Sequence, residues 1–336
     1  MGEPCIADVD INSVKQGVIM NEKRIGVAVS APDVAGVMEN IARVEGAGIP
    51  AVWLTTGGAG LDALTIFAAA AERFKNVMFG TSIVPTFPRH PIVMAQQVQV
   101  LSQLAPGRIR LGIGPSHRPT TQAMYGTGFR APLGHLRECI QILKPLLQTG
   151  SVDFDGKYYH AHARLAAPVD VPVMASALRS ASFEACGADA DGAISWVCPG
   201  AYLQTVALPA IQKGAEVASR PAPPLIAHAP VCVHENPDEI RVAVQQQLSN
   251  YPRMPFYQQM FAAAGFPEAA EETWSDAMIT GTVLSGDEST VKMRLQGLLD
   301  MGATEILVSV VHAGEDREAS INRTLVVLGE LSQSLG

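Results

Sequence analysis

Gly112-Ile113-Gly114-Pro115-Ser116-His117-Arg118 follows a short apolar run, Ile109-Arg110-Leu111. Two glycines so close together let backbone pass near a ligand. His117 and Arg118 can both carry positive charge, which suits an anionic ligand. Three other apolar runs end in small or hydroxylic residues. Thr81-Ser82-Ile83-Val84-Pro85 is broken by serine and closed by proline, a pattern shared with ordinary strand ends. Val173-Met174 leads into Ala175-Ser176-Ala177, whose small side chains would leave the amides of a following helix open to a phosphate. Gly192-Ala193-Ile194 ends at Ser195, a hydroxyl able to donate to the same group. Parallel α/β proteins bind ligands at strand carboxyl ends, and barrels commonly hold phosphate at the late strands. The residues alone thus specify a phosphate-bearing cofactor or substrate.

Other chemistries lack their residues. There is no G-x-S-x-G elbow and no P-loop. His160-x-His162 would put two imidazoles on one strand face, but no third ligand lies nearby, so no metal site is expected. His228, His234 and His312 read as packed or exposed strand-end residues. Cys5, Cys139, Cys186, Cys198 and Cys232 are odd in number and form no C-x-x-C, which fits idle thiols in a reducing cytoplasm. The 24 basic against 32 acidic residues leave a formal charge of −8, with no long basic run. Nucleic acid and membrane are therefore not expected partners. Asp8, Asp10, Lys15, Glu22, Lys23 and Arg24 interrupt residues 1–24, so neither a signal peptide nor a membrane span is expected. A cytoplasmic protein follows.

The elements that must position these residues alternate. Val34, Val37, Met38, Ile41 and Val44 fall at helical spacing before the run Ala51-Val52-Trp53-Leu54. Similar stripes over residues 64–74, 94–104, 136–147 and 291–299 precede or follow other short apolar runs. With Ile25–Val29 first and Glu305–Val311 last, eight strands alternate with helices. That predicts an α/β fold, a (β/α)8 TIM barrel with insertion segments at its C-terminal face. A doubly wound sheet is the alternative, but no G-x-G-x-x-G follows the first strand; after Gly112 and Gly114 the third glycine slot holds His117. Residues 115–134, 147–170, 197–224 and 250–285 exceed ordinary loop length and are expected to shape a substrate pocket. Val152–Tyr159 reads as a hairpin turning at Asp155-Gly156. Residues 1–20 form a tail and residues 21–336 one domain.

On these residues the chain resembles the bacterial luciferase-like monooxygenase superfamily, in the branch of oxidoreductases that use the deazaflavin coenzyme F420. The matching elements are Val52-Trp53-Leu54, Gly80–Pro85 with Arg89-His90-Pro91, Gly107–Pro119, Ala123–Gly126, His135–Glu138, Val152–Tyr159, Pro172–Ala177, Ala190-Asp191-Gly192 and Gly281–Asp287. The resemblance implies a homodimer of TIM barrels with F420 in each mouth and a cis peptide at Ser82–Ile83 beneath its ring. It implies ring contacts from Ser82 and Ile83, Gly112 and Gly114 near the ring, and a phosphate held by Ala175, Ser176, Ala177, Ile194 and Ser195. The sugar-phosphate dehydrogenase branch carries an Asp-His pair after the second strand and a Glu after the first. Here Thr55-Thr56 and Ser30-Ala31-Pro32 stand there, which argues against oxidation of glucose 6-phosphate. His117 and Arg118 are left to orient a small organic substrate or give it a proton while hydride reaches an activated C=C, C=O or C=N bond. Two alternatives are an FMN-dependent monooxygenase and a cofactor-binding barrel without turnover. F420 has a long anionic tail and needs an open, basic exit, whereas FMN ends at one phosphate.

Overall fold

A computed structural model describes residues 23–335; the expected tail over 1–20, and Cys5 within it, lie outside the described residues. The strands are β1 (Arg24–Ala28), β2 (Ala51–Leu54), β3 (Met78–Thr81), β4 (Val84–Pro85), β5 (Ile109–Gly114) and β6 (Ser151–Asp155). They continue with β7 (His160–Arg164), β8 (Val173–Ser176), β9 (Gly192–Ile194), β10 (Leu225–Val233), β11 (Leu284–Gly286) and β12 (Glu305–Val310). Parallel pairing runs β12-β1-β2-β3-β5-β8-β9-β10, and β10 pairs back onto β12. Eight strands thereby close a TIM barrel, as the alternation predicts. The short β4 extends β3 past a break and pairs with β5, and β11 adds to β10.

Every residue of β2, β5 and β10 is buried, because helices cover the outside while side chains fill the inside. Ala51, Trp53, Met174, Ile194, Ile226 and Leu307 form the interior packing. Leu and Val side chains from strands and helices form the outer layer. Helix starts are fixed by short polar side chains. Asp33, Asp62, Ser275 and Asp287 each accept from the amide three residues on.

Charge also enters the interior. Trp53, Gly80 and Arg110 lie side by side across β2, β3 and β5. Gly80 leaves room for the indole, since a Cβ there would sit 2.4 Å from Trp53. Arg110 and Glu305, both 1% exposed, form an ion pair, and Trp53 Nε1 donates to Glu305 Oε1 at 2.7 Å. The Arg110 guanidinium lies 4.4 Å from the Trp53 ring centroid.

The long insertions are more structured than their composition suggested. Residues 115–134 hold the helix Arg118–Tyr125, and 250–285 hold helices Pro255–Ala263 and Asp276–Thr282. Proline stands in the first turn of the first two of these helices, where its missing N–H costs nothing. The hairpin is β6 and β7, antiparallel across residues 156–159. Glu138 fixes that turn, accepting from the amides of Lys157, Tyr158 and Tyr159 at 2.8–3.1 Å. His160 and His162 pair with Asp155 and Asp153 on its exposed face. Among the described residues no group of three or more His, Cys, Asp or Glu side chains is placed to hold a metal. No described helix is long and apolar enough to cross a membrane.

Candidate active site

A cavity of about 1050 Å³ opens at the carboxyl ends of the strands. One part of its wall follows β3, where the Ser82–Ile83 peptide is cis. Hydrogen bonds from the end of β2 hold this bulge. Thr55 Oγ1 donates to Ser82 O at 2.5 Å, Ser82 N donates to Leu54 O at 3.0 Å, and Thr56 N donates to Ile83 O at 3.2 Å. Thr55 and Thr56, at the place where the resembled branch has its Asp-His pair, therefore brace the bulge.

Gly112 has a different task from the one its position suggested. It is fully enclosed within β5 and absent from the cavity wall; a Cβ there would lie 1.9 Å from Thr81 O and 2.7 Å from Ile194 Cδ1. Thr81 Oγ1 bonds both the carbonyl and the amide of Gly112 at 2.8 Å. Gly112 thus draws β3 against β5 and seats the bulge. Gly114 also stands behind the wall, where a Cβ would meet Ser176 Oγ at 2.2 Å and Ile83 Cγ1 at 3.1 Å. Ala175 is buried within β8.

Ser82, Ile83, His117, Ser176, Ala177, Ile194 and Ser195 all line the cavity. Arg118 does not; it begins a helix, exposed, with its guanidinium 5.7 Å from the Phe129 ring centroid. The Oγ atoms of Ser82 and Ser195 are buried with no hydrogen-bond partner among the described residues. Orphaned hydroxyls of this kind are costly unless a ligand or water satisfies them. Past Ala177 the chain enters the helix Ser180–Asp189, and Leu178 to Ser182 line the same cavity. The helix's first residues, Ser176, Ser195 and the exposed Arg179 line this one cavity, and free helix-start amides, hydroxyls and a guanidinium together suit an anion, an anion cradle in composition. A planar ring over the bulge and a phosphate at this helix fit the residues present.

No local motif in the sequence marks the remaining wall. His228, read as a packed or strand-end residue, sits within β10 and lines the cavity with its Nε2 2.8 Å from Ser309 Oγ. Trp196 lies against it, centroids 4.0 Å apart. Tyr251 and Tyr257 come from the 250–285 insertion. Burial lowers the pKa of His117, and lowers that of His228 to about 3. His135, stacked on Phe87 at 4.0 Å, is lowered to about 4 by the same cause.

The two buried imidazoles, His135 and His228, make stability pH-dependent. The unfolded chain binds protons near the ordinary histidine pKa of about 6.5 while the folded chain refuses them. Stability is then fully present above about pH 6.5 and falls toward pH 4, by up to about 1.4 kcal/mol per pH unit for each group. The melting temperature should drop between pH 7 and 5. His228→Gln should flatten that drop, and an unaltered slope would show that His228 is not the titrating group.

The closed parallel barrel carries at its mouth a braced bulge and a cavity whose lining fits a planar, phosphate-bearing ligand. The chain belongs to the luciferase-like monooxygenase family, which matches it over residues 16–305. It is 34% identical over 177 residues to an F420-dependent glucose-6-phosphate dehydrogenase of Gordonia bronchialis, covering 50% of this chain and 52% of that protein. The corresponding enzyme of Amycolatopsis mediterranei is 33% identical over 202 residues, 55% of this chain and 60% of the relative. The chain thus matches little more than half the length of these curated relatives. Among solved structures, an F420-dependent secondary alcohol dehydrogenase bound to an F420-acetone adduct overlays with a TM-score of 0.78 at 18% identity, covering 94% of this chain and 99% of that one. A type II Baeyer-Villiger monooxygenase of Pseudomonas putida in complex with FMN overlays with a TM-score of 0.70 at 16% identity, covering 93% and 98%. At such identities the overlays establish the fold.

Proposed function

We propose that this protein is an F420-dependent oxidoreductase that exchanges hydride with a small organic substrate. The observation that carries the reading is the pair of orphaned hydroxyls, Ser82 at the bulge and Ser195 beside the anion cradle, at two parts of one cavity. Curated relatives that use F420 support it over FMN. Arg179 gives the cradle an exposed cation, as an anionic tail leading outward requires, and no described acid pairs with it.

When bound and reduced, F420 supplies a hydride, an electron pair with its proton, to an electrophilic carbon of a C=C, C=O or C=N bond, and is itself oxidised. The chain's residues do the rest. Ser82 and Ile83 support the ring, Thr55 and Thr56 keep that support in place, and Ser176, Ala177 and Ser195 anchor the phosphate. Gly112, Gly114, Ala175 and Ile194 hold these groups at their spacing. His117 completes the balance by taking a proton from solvent and passing it, as imidazolium, to the other atom of the reduced bond, which returns the ring to the neutral form that burial favours. Arg118 stays outside the cavity, over the Phe129 ring, and takes no part in the proton transfer. A homodimer in the cytoplasm belongs to this reading and rests on the family resemblance.

Ser176→Asp should weaken F420 binding at least about tenfold by setting like charge against the phosphate, while the isosteric Ser176→Asn should not. Equal affinities of the two variants would place the phosphate elsewhere. Reoxidation of reduced F420 by an activated acceptor, catalysed by the protein, tests the activity itself. Binding of F420 without turnover of any such acceptor would leave a binding barrel in place of an enzyme.

A further inference from the structure

Five rings run in sequence along the cavity. Centroid separations are 5.9 Å for His117 and Tyr257, 5.0 Å for Tyr257 and Tyr251, 5.4 Å for Tyr251 and Trp196, and 4.0 Å for Trp196 and His228. Tyr257 and His228 are 6% and 8% exposed, so the row is built into the wall and is not a set of surface side chains. The tilted and edge-on geometry leaves ring faces and edges turned toward other partners.

Charge is distributed unevenly around the same cavity. Its charged lining groups are Arg179 and Glu184, both on the segment after β8 that cradles the phosphate. The ring wall holds neither a lysine, an arginine nor a carboxylate, and burial keeps both of its imidazoles neutral at ordinary pH. An anionic substrate entering there would lose its hydration and meet no cation in return, a cost of many-fold in affinity. A flat apolar molecule would lose only its contact with water and would gain ring contacts. Polar capacity in the wall is small and uncharged. Ser309 Oγ lies 2.8 Å from His228 Nε2; in the tautomer whose Nε2–H donates to it, the hydroxyl proton is left for one carbonyl oxygen.

We infer that the substrate is a flat, uncharged conjugated carbonyl compound, held by the Trp196–Tyr251–Tyr257 wall, and that a sugar phosphate is excluded. For the reaction this rests on the F420 reading above; for binding it rests on the wall alone. The curated relatives that share about half their length with this chain carry glucose 6-phosphate in their names, and a flat uncharged substrate would set this chain apart from them.

Calorimetric titration of the purified protein, with and without F420, tests it with menadione and glucose 6-phosphate as probes. Menadione should bind and glucose 6-phosphate should not. Trp196→Ala should weaken menadione about tenfold, the scale of a lost ring contact plus its buried area, and Trp196→Phe should restore it to within about twofold. F420 affinity should be the same in both variants. Glucose 6-phosphate binding as tightly as menadione would overturn the inference, as would menadione affinity indifferent to Trp196→Ala. The expected menadione pattern in protein that does not bind F420 would uphold the wall and count against the F420 reading alone.

Discussion

Arg110→Met should cost about 3–5 kcal/mol of folding stability, the largest single effect expected in this molecule. Glu305 would remain 1% exposed with the Trp53 indole N–H as a lone donor and no countercharge. A total stability of about 5–15 kcal/mol leaves little margin for such a loss. The variant should therefore unfold at a much lower urea concentration. The charge is the cause, and a second change isolates it. Glu305→Gln keeps an acceptor for Trp53 Nε1 while removing the charge, so the double variant should be more stable than Arg110→Met alone. A double variant no better than the single one would mean that lost packing of the guanidinium on the indole, and not the stranded carboxylate, dominates.

Gly112→Ala should be the second largest, at about 3 kcal/mol, the upper end of ordinary overpacking. Its Cβ would lie 1.9 Å from a backbone oxygen, Thr81 O, which cannot rotate away. β3 must then move off β5, breaking the paired Thr81–Gly112 hydrogen bonds and shifting the Ser82–Ile83 bulge. Stability and F420 affinity should fall together. Gly114→Ala supplies the contrast, because its nearest obstacle at 2.2 Å is the Ser176 hydroxyl, which can turn aside. That variant should melt close to wild type while weakening the cofactor. Equal destabilisation by the two alanines would contradict the distinction between a backbone and a side-chain obstacle.

The barrel was legible because parallel strands covered on both faces appear as continuous apolar runs, such as Ala51–Leu54 and Leu225–Val233. Strand ends rich in serine and glycine were legible as a site for the same reason that makes them useful: small side chains expose amides and hydroxyls. The purpose of Gly112 was not. A glycine needed for backbone approach and a glycine needed for ligand space have the same letter, and only the position of Thr81 O separates them. The ring wall was hidden more deeply. Tyr251 and Tyr257 come from an insertion with no strand of its own, and His228 stands in the middle of an apolar run where a packed imidazole looks identical. Arg110 and Glu305 are 195 residues apart, and nothing local marks them as partners.

An F420 site at the barrel mouth is what joins the bulge, the cavity and the orphaned hydroxyls into one function. Purified protein titrated with F420 and, separately, with FMN, following the fluorescence of each, tests it directly. Saturable binding of one F420 per chain, undisturbed by added FMN, is the predicted result. Submicromolar binding of FMN with no response to F420 would contradict it.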